Sequence, residues 1–301
     1  MDIFVTGATG HVGEAVTRRL AEGGHRVTGL LRSAGKRQRL SSLGVEPVYG
    51  DMTIPASYRT AAGEHDALVH CAFREEGDSV GADRTALDAL LDAARLADGP
   101  RIVVYTSGCW VLGDTEGETV AEDAPADAPA EVVGWRPRHE EIVLEADGEP
   151  GLDTAVVRPG LVYGGAGSLT GRLFATAVEE GAAEVPGDGE QHWSFVHRDD
   201  LADLYRRILE EGASGIFHGV DGVPVPAREA ARAASEAAGA DGRVRTVEPE
   251  RAREELGAVA DALCMDQRLA ARRSASLGWS PERPCFPTAA EEAFRAWREA
   301  R

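Results

Sequence analysis

The chain is almost without lysine: Lys36 is the only one in 301 residues, and arginine supplies the remaining Lys/Arg charge. Acids outnumber these bases 51 to 32, for a formal charge of -19. Phosphate backbones and anionic lipid repel such a surface, so neither nucleic acid nor membrane is expected as a partner. No apolar run approaches the ~20 residues needed to span a bilayer. The first residues enter a strand directly, with no basic segment and no small-residue cleavage site, so no signal peptide is expected. The four cysteines, Cys71, Cys109, Cys264 and Cys285, are far apart and lack the paired spacing of a metal site. A reduced, cytoplasmic protein without a metal is the expectation. There is no internal repeat and no low-complexity tail.

What is present starts at the N-terminus. Asp2 to Thr6 is a short apolar, β-branched run that reads as a buried strand. It breaks into Gly7-Ala8-Thr9-Gly10-His11-Val12-Gly13, and helical spacing follows over Glu14 to Glu22. Strand, glycine-rich turn and helix form the context of a dinucleotide fingerprint. Gly7 allows a sharp turn, Gly10 lets backbone N–H groups approach a pyrophosphate, and Gly13 lets helix and strand pack closely. The helix start then turns free donors and its positive dipole end toward phosphate.

Strands and helices then alternate. Strands are expected at 25–31, 45–49, 67–70, 101–105 and 154–157, with helices near 55–62, 82–97 and 131–146 between them. This alternation predicts an α/β fold, a doubly wound parallel sheet of Rossmann type. The stretch 113–130 reads as an acidic surface loop. Beyond Gly160 the texture loosens, with helices expected at 169–180, 200–211, 227–238 and 251–256 and short strands near 193–196, 215–218 and 243–247. The division expected is a dinucleotide-binding domain over 1–160 with parts of about 190–220. A small α+β substrate-binding cap over 161–301 is interwoven with its last strands.

Several strings occur in order: the Gly7–Gly13 turn, Gly50-Asp51, Val69-His70-Cys71-Ala72, Val104-Tyr105-Thr106-Ser107, Val157-Arg158-Pro159-Gly160-Leu161-Val162-Tyr163-Gly164, and Phe195-Val196-His197-Arg198-Asp199-Asp200. Together they resemble the extended short-chain dehydrogenase/reductases, the NAD-dependent epimerase/dehydratase group, over about Met1 to Arg207. The resemblance implies a nicotinamide cofactor across the carboxyl edge of the sheet and a homodimer through helices 82–97 and 131–146. Carried over residue by residue, it assigns cofactor contacts to Gly7, Thr9, Gly10, His11, Val12, Gly13, Asp51, Met52, Cys71, Ala72, Phe73, Thr106, His139, Arg158, Pro159, Gly160 and Val162.

Cofactor choice has a physical argument. A carboxylate at the end of the second strand would bind the ribose hydroxyls of NAD and repel a 2′-phosphate. Here the sequence reads Leu30-Leu31-Arg32-Ser33, with Lys36 and Arg37 close behind. A guanidinium can pair with phosphate and stack on adenine, so NADP is favoured over NAD.

The catalytic pattern departs from the family. Ser107 stands where the family has its Ser or Thr. The usual Tyr-x-x-x-Lys is missing, and register places Trp135 on the tyrosine and His139 on the lysine. Indole exchanges no proton at neutral pH. His139 could supply both ribose contact and acid/base function, or Tyr163 could supply the missing hydroxyl. Otherwise the chain binds a dinucleotide without efficient turnover, as a sensor or scaffold. Against these stand plainer roles: His139 as a helix-surface residue, Tyr163 as a packed aromatic, Cys109 as a small apolar filler, and Asp199 or Asp200 as a helix cap. The activity expected is an NADP-preferring oxidoreductase or epimerase-like reaction on a small carbonyl or alcohol, possibly sugar-derived.

Overall fold

The computed structural model describes residues 1–74, 76–165 and 167–300. They form two compact units: residues 1–107, 138–158 and 201–217, and residues 108–137, 159–200 and 218–301.

The first unit is built on a seven-stranded sheet. Its strands are β1 (Asp2–Thr6), β2 (Arg26–Leu31), β3 (Glu46–Tyr49), β4 (Ala67–His70), β5 (Arg101–Thr106), β6 (Leu152–Pro159) and β7 (Gly215–Gly219). The order across the sheet is β7-β6-β5-β4-β1-β2-β3. β1 pairs in parallel with β2 and β4, and β2–β3, β4–β5 and β5–β6 are parallel as well. The central strands carry unbroken apolar runs because helices flank the sheet: Ile3, Phe4 and Val5 are all fully buried, as are Ala67, Leu68 and Val69. The expected doubly wound parallel fold is the one observed.

The helices used below are α1 (His11–Glu22), α2 (Ser79–Arg95), α3 (Arg136–Glu145) and α4 (Arg198–Glu211). α1 buries Gly13, Val16, Thr17 and Leu20, a stripe at helical spacing. α2 starts at Asp78, whose carboxylate accepts the Gly81 N–H at 2.8 Å. Its buried stripe includes one acid, Asp83. The helix expected over 131–146 is divided. A 3-10 turn covers Glu131–Val133, a turn follows at Gly134-Trp135, and α3 begins only at Arg136. Pro137 sits in the first turn of α3, where its missing N–H costs nothing. Trp135 therefore precedes the helix that carries His139.

The described strands of the second unit form two-stranded sheets. Two-stranded pairs join Leu161–Tyr163 with Phe195–His197, Ala183–Pro186 with Val244–Val247, His192–Trp193 with Val225–Pro226, and Thr119–Val120 with Arg268–Leu269. The stretch 113–130 is thus not wholly loop. An aromatic core joins Tyr163, Phe174, Phe195 and Phe286. Its last member comes from the helix Phe286–Glu299, which the sequence reading omits. The signal was there: Phe286, Ala289, Ala290, Ala293 and Trp297 recur at helical spacing, with a proline in the first turn.

Candidate active site

The turn after β1 has the shape its glycines require. Gly7 has φ +71°, and an added Cβ would lie 2.5 Å from the Ala72 nitrogen. Its carbonyl accepts the Gly10 N–H at 2.8 Å. A Cβ on Gly13 would lie 2.1 Å from that same carbonyl oxygen. Gly13 thus lets α1 approach the turn itself rather than the strand.

Beside this turn lies a cavity of about 510 Å³. Ten of the expected cofactor residues line it: Gly7, Thr9, Gly10, Arg32, Lys36, Asp51, Met52, Cys71, Ala72 and Phe73. Gly50, quoted above with Asp51, also lines it, as do Arg74 and Glu76, which were missed. His11, Val12 and Gly13 form the first turn of α1, and Arg37 opens the helix Arg37–Ser42. Asp51 is fixed at the rim by the Thr53 N–H at 2.9 Å and the Thr53 hydroxyl at 2.7 Å. Those bonds, outweighing burial and aided by Arg32 and Arg74, hold its carboxyl below the usual range. Burial pushes the Cys71 thiol up to about 11, so it is an inert wall rather than a nucleophile. The Thr106 hydroxyl meets the Tyr205 hydroxyl at 2.7 Å and donates to Cys71 Sγ at 3.4 Å.

These features fit a dinucleotide. The glycines leave a cradle that side chains would fill, and Arg32, Lys36 and Arg74 bring cations to the cavity beside it. A buried hydroxyl at the end of β5 also lacks a protein partner: Ser107 Oγ has none among the described residues, while the Ser107 N–H bonds the Val157 carbonyl at 2.8 Å.

His139 is not a surface residue. It is 4% exposed, and its Nδ1 lies 2.7 Å from Asp83 Oδ2. Asp83 was missed by the sequence reading, although a lone acid on the apolar stripe of α2 was its signal. The Tyr105 hydroxyl donates to the same Oδ2 at 2.9 Å, and His70 Nε2 lies 3.3 Å from Oδ1. The other His70 nitrogen, Nδ1, meets Thr6 Oγ1 at 2.6 Å. Next to His139, Glu140 Oε2 accepts from Arg158 Nε at 3.1 Å and from Nη2 at 2.5 Å. Both are 3% exposed. The Arg158 side chain is thus an anchor for α3.

In the second unit, Tyr163 closes the strand Leu161–Tyr163 and is fully buried, its hydroxyl donating to the Pro284 carbonyl. Burial, then the nearby Asp221 and Asp200, pushes the phenol well above its ordinary range. Val162 pairs with Val196, and a Cβ on Gly160 would lie 2.3 Å from the Ser194 carbonyl oxygen, in the segment after Pro159. Tyr163, His197, Arg198 and Arg283 border a separate small cavity. Asp200 does not cap α4; its carboxylate accepts the backbone N–H groups of Glu282 and Arg283 at 3.1 and 3.0 Å. Cys109 sits in an apolar cluster with Val111, Leu112, Val220 and Leu269, a filler as expected. Trp193 is core, its indole N–H bonding the Leu263 carbonyl at 2.9 Å.

Asp221 yields a pH prediction. Its Oδ2 has no partner among the described residues, and burial raises its pKa to about 6. The unfolded chain gives up this proton near pH 4, so stability from this residue is fully present below that value. It is lost as pH rises toward 6. Asp221→Asn is therefore expected to raise stability at pH 7 by about 1–3 kcal/mol and to change little at pH 4. Urea denaturation at both pH values checks it; equal effects at the two would contradict it.

A family model described as the NAD dependent epimerase/dehydratase family matches residues 3–218. A Streptomyces protein named 3-diazoavenalumate denitrifying reductase is 27% identical over 244 residues, 76% of this chain and 79% of its own. Human epimerase family protein SDR39U1, solved with NADPH, is 22% identical with a TM-score of 0.78, covering 98% of this chain and 99% of that one. Thermus thermophilus UDP-glucose 4-epimerase, solved with NAD, is 21% identical with a TM-score of 0.83 and full coverage of both chains. With its parallel sheet, its glycine turn and a family match over most of its length, this chain belongs to the NAD dependent epimerase/dehydratase family.

Proposed function

We propose that the protein is an NADP-preferring oxidoreductase that reduces a small carbonyl compound or oxidises the matching alcohol. The observation that carries this reading is the basic wall after β2. Arg32 and Lys36 line the cavity at the glycine turn, and no acid occupies the end of that strand. A ribose 2′-phosphate would find a planar cation there, where an NAD site places a carboxylate. Reductases are among its relatives.

When bound, the nicotinamide supplies hydride chemistry; the chain supplies the rest. The glycine turn and the start of α1 bind the pyrophosphate through backbone N–H groups. Ser107 Oγ, buried and without a partner among the described residues, donates to the reacting oxygen. His139, held by Asp83, exchanges the proton.

Arg32→Ala is expected to weaken NADPH binding about 10- to 100-fold, the worth of a charge-assisted hydrogen bond, and to leave NADH affinity within about twofold. Calorimetric titration with both cofactors measures it. An equal loss for both would remove the NADP assignment. Oxidation of NADPH by the native protein across a panel of aldehydes and ketones tests the reaction itself.

A second reading, a dinucleotide sensor without turnover, draws on Tyr163. Its hydroxyl is committed to the Pro284 carbonyl and is held protonated. NADPH binding with no turnover on any panel member would favour it.

A further inference from the structure

We propose that Arg74 is a second specificity-determining residue of the cofactor cavity: with Arg32 it grips the ribose 2′-phosphate of NADP, from the other side of the glycine turn. The inference rests on the NADP reading above and extends it to a residue outside the segment after β2.

The strand order sets the geometry. β1, which ends in the glycine turn, lies between β2 and β4. Arg32 directly follows β2, which ends at Leu31, and Arg74 stands shortly beyond β4, which ends at His70. Both line the cavity of about 510 Å³ beside the turn. Strands two places apart in a sheet lie about 10 Å from each other. Two arginine side chains, one from each side, can close that span on a single phosphoryl group.

The loop holds Arg74 ready for this. Its Nε donates to the Glu76 carbonyl at 2.7 Å, which ties the guanidinium to the loop backbone. A guanidinium also carries N–H donors on its two Nη atoms. Those of Arg74 have neither a hydrogen-bonded acceptor nor an ion-pair partner among the described residues. A planar fork with its outer donors free matches the oxygens of a phosphate bidentately.

Charge gives the second guanidinium its purpose. Asp51 lines the same cavity, and the Thr53 bonds, with Arg32 and Arg74 adding to them, hold its carboxyl below the usual range. It is therefore ionised at neutral pH and offsets one cation. A phosphate monoester carries about two negative charges there. Arg32 and Lys36 are exposed, so solvent and salt screen them, whereas Arg74 is half-buried and screened less. Among the described residues the lining holds three cations, Arg32, Lys36 and Arg74, against two acids, Asp51 and Glu76. That excess stands in a chain whose formal charge is -19. Adenine is neutral and the pyrophosphate has the backbone donors of the glycine turn, so the 2′-phosphate is the group left for these cations.

Adenosine 2′,5′-bisphosphate and adenosine 5′-monophosphate differ by the 2′-phosphate alone. Calorimetric titration with each isolates that group without any turnover. Arg74→Ala is expected to weaken the bisphosphate about tenfold or more and the monophosphate by less than about twofold. Arg74→Lys, which keeps the charge but not the fork, should fall between Arg74→Ala and the native chain. Combining Arg32→Ala with Arg74→Ala should remove most of the discrimination between the two nucleotides. An equal loss for both nucleotides in Arg74→Ala, or a loss for neither, overturns the proposal. If Arg32→Ala still loses the bisphosphate selectively in that case, the NADP reading stands without it. A native protein that binds both nucleotides alike removes the NADP reading, and this proposal with it.

Discussion

Replacing Gly13 by alanine is expected to destabilise the protein and to cut NADPH affinity at least tenfold. The sign is informative because helix propensity argues the other way. Alanine is worth about 1 kcal/mol more than glycine inside a helix, and Gly13 lies in the first turn of α1. The new Cβ, however, would stand 2.1 Å from the Gly7 carbonyl oxygen. That overlap is with backbone, which has no rotamer to yield, and overpacking of this kind costs about 1–3 kcal/mol or more. Relief would push the Gly7 carbonyl aside, and that carbonyl accepts the Gly10 N–H that closes the turn. Stability and phosphate binding therefore fall together. Thermal unfolding with and without NADPH measures both. An alanine variant that melts higher than the native chain and still binds NADPH would refute the close approach.

Breaking the Glu140–Arg158 pair is expected to have the larger effect on stability. Both side chains are 3% exposed, and the guanidinium bonds both carboxylate oxygens. Glu140→Ala leaves the Arg158 charge buried with its main counter-charge gone, which costs about 3–5 kcal/mol. The double variant Glu140→Leu with Arg158→Met should recover most of that loss, since apolar replacement of a buried pair is often neutral or stabilising. Urea denaturation of the single and double variants decides it. A single variant within about 1 kcal/mol of the native chain would show that water reaches this pair. Because Glu140 adjoins His139, the single variant should also lower turnover by loosening α3, an effect the double variant should largely reverse.

How legible each feature was follows from the distance over which it is determined. The strands of the sheet and the glycine turn were readable because their signals are local. Apolar runs such as Ile3-Phe4-Val5 end at turn residues, and the turn's φ and close approaches demand glycine wherever the chain is folded this way. The basic end of β2 was readable for the same reason: Arg32 directly follows the strand that positions it. The family followed from the order of these short strings. The helix 131–146 was over-extended because propensity alone does not register that Gly134 and Pro137 restart it at Arg136.

The environment of His139 could not be read from its neighbours in the chain. Its partner Asp83 is 56 residues away on another helix, and Tyr105 and His70 reach the same carboxylate from two strands. Glu140 likewise gives no local sign that Arg158 will bury against it. By itself the sequence determined the parallel sheet, the glycine cradle, and the cations that stand beside it. Only the tertiary structure decided which titratable groups became buried partners. Burial turns isolated acids and histidines into a network because a charge removed from water must find its donors wherever the fold brings them.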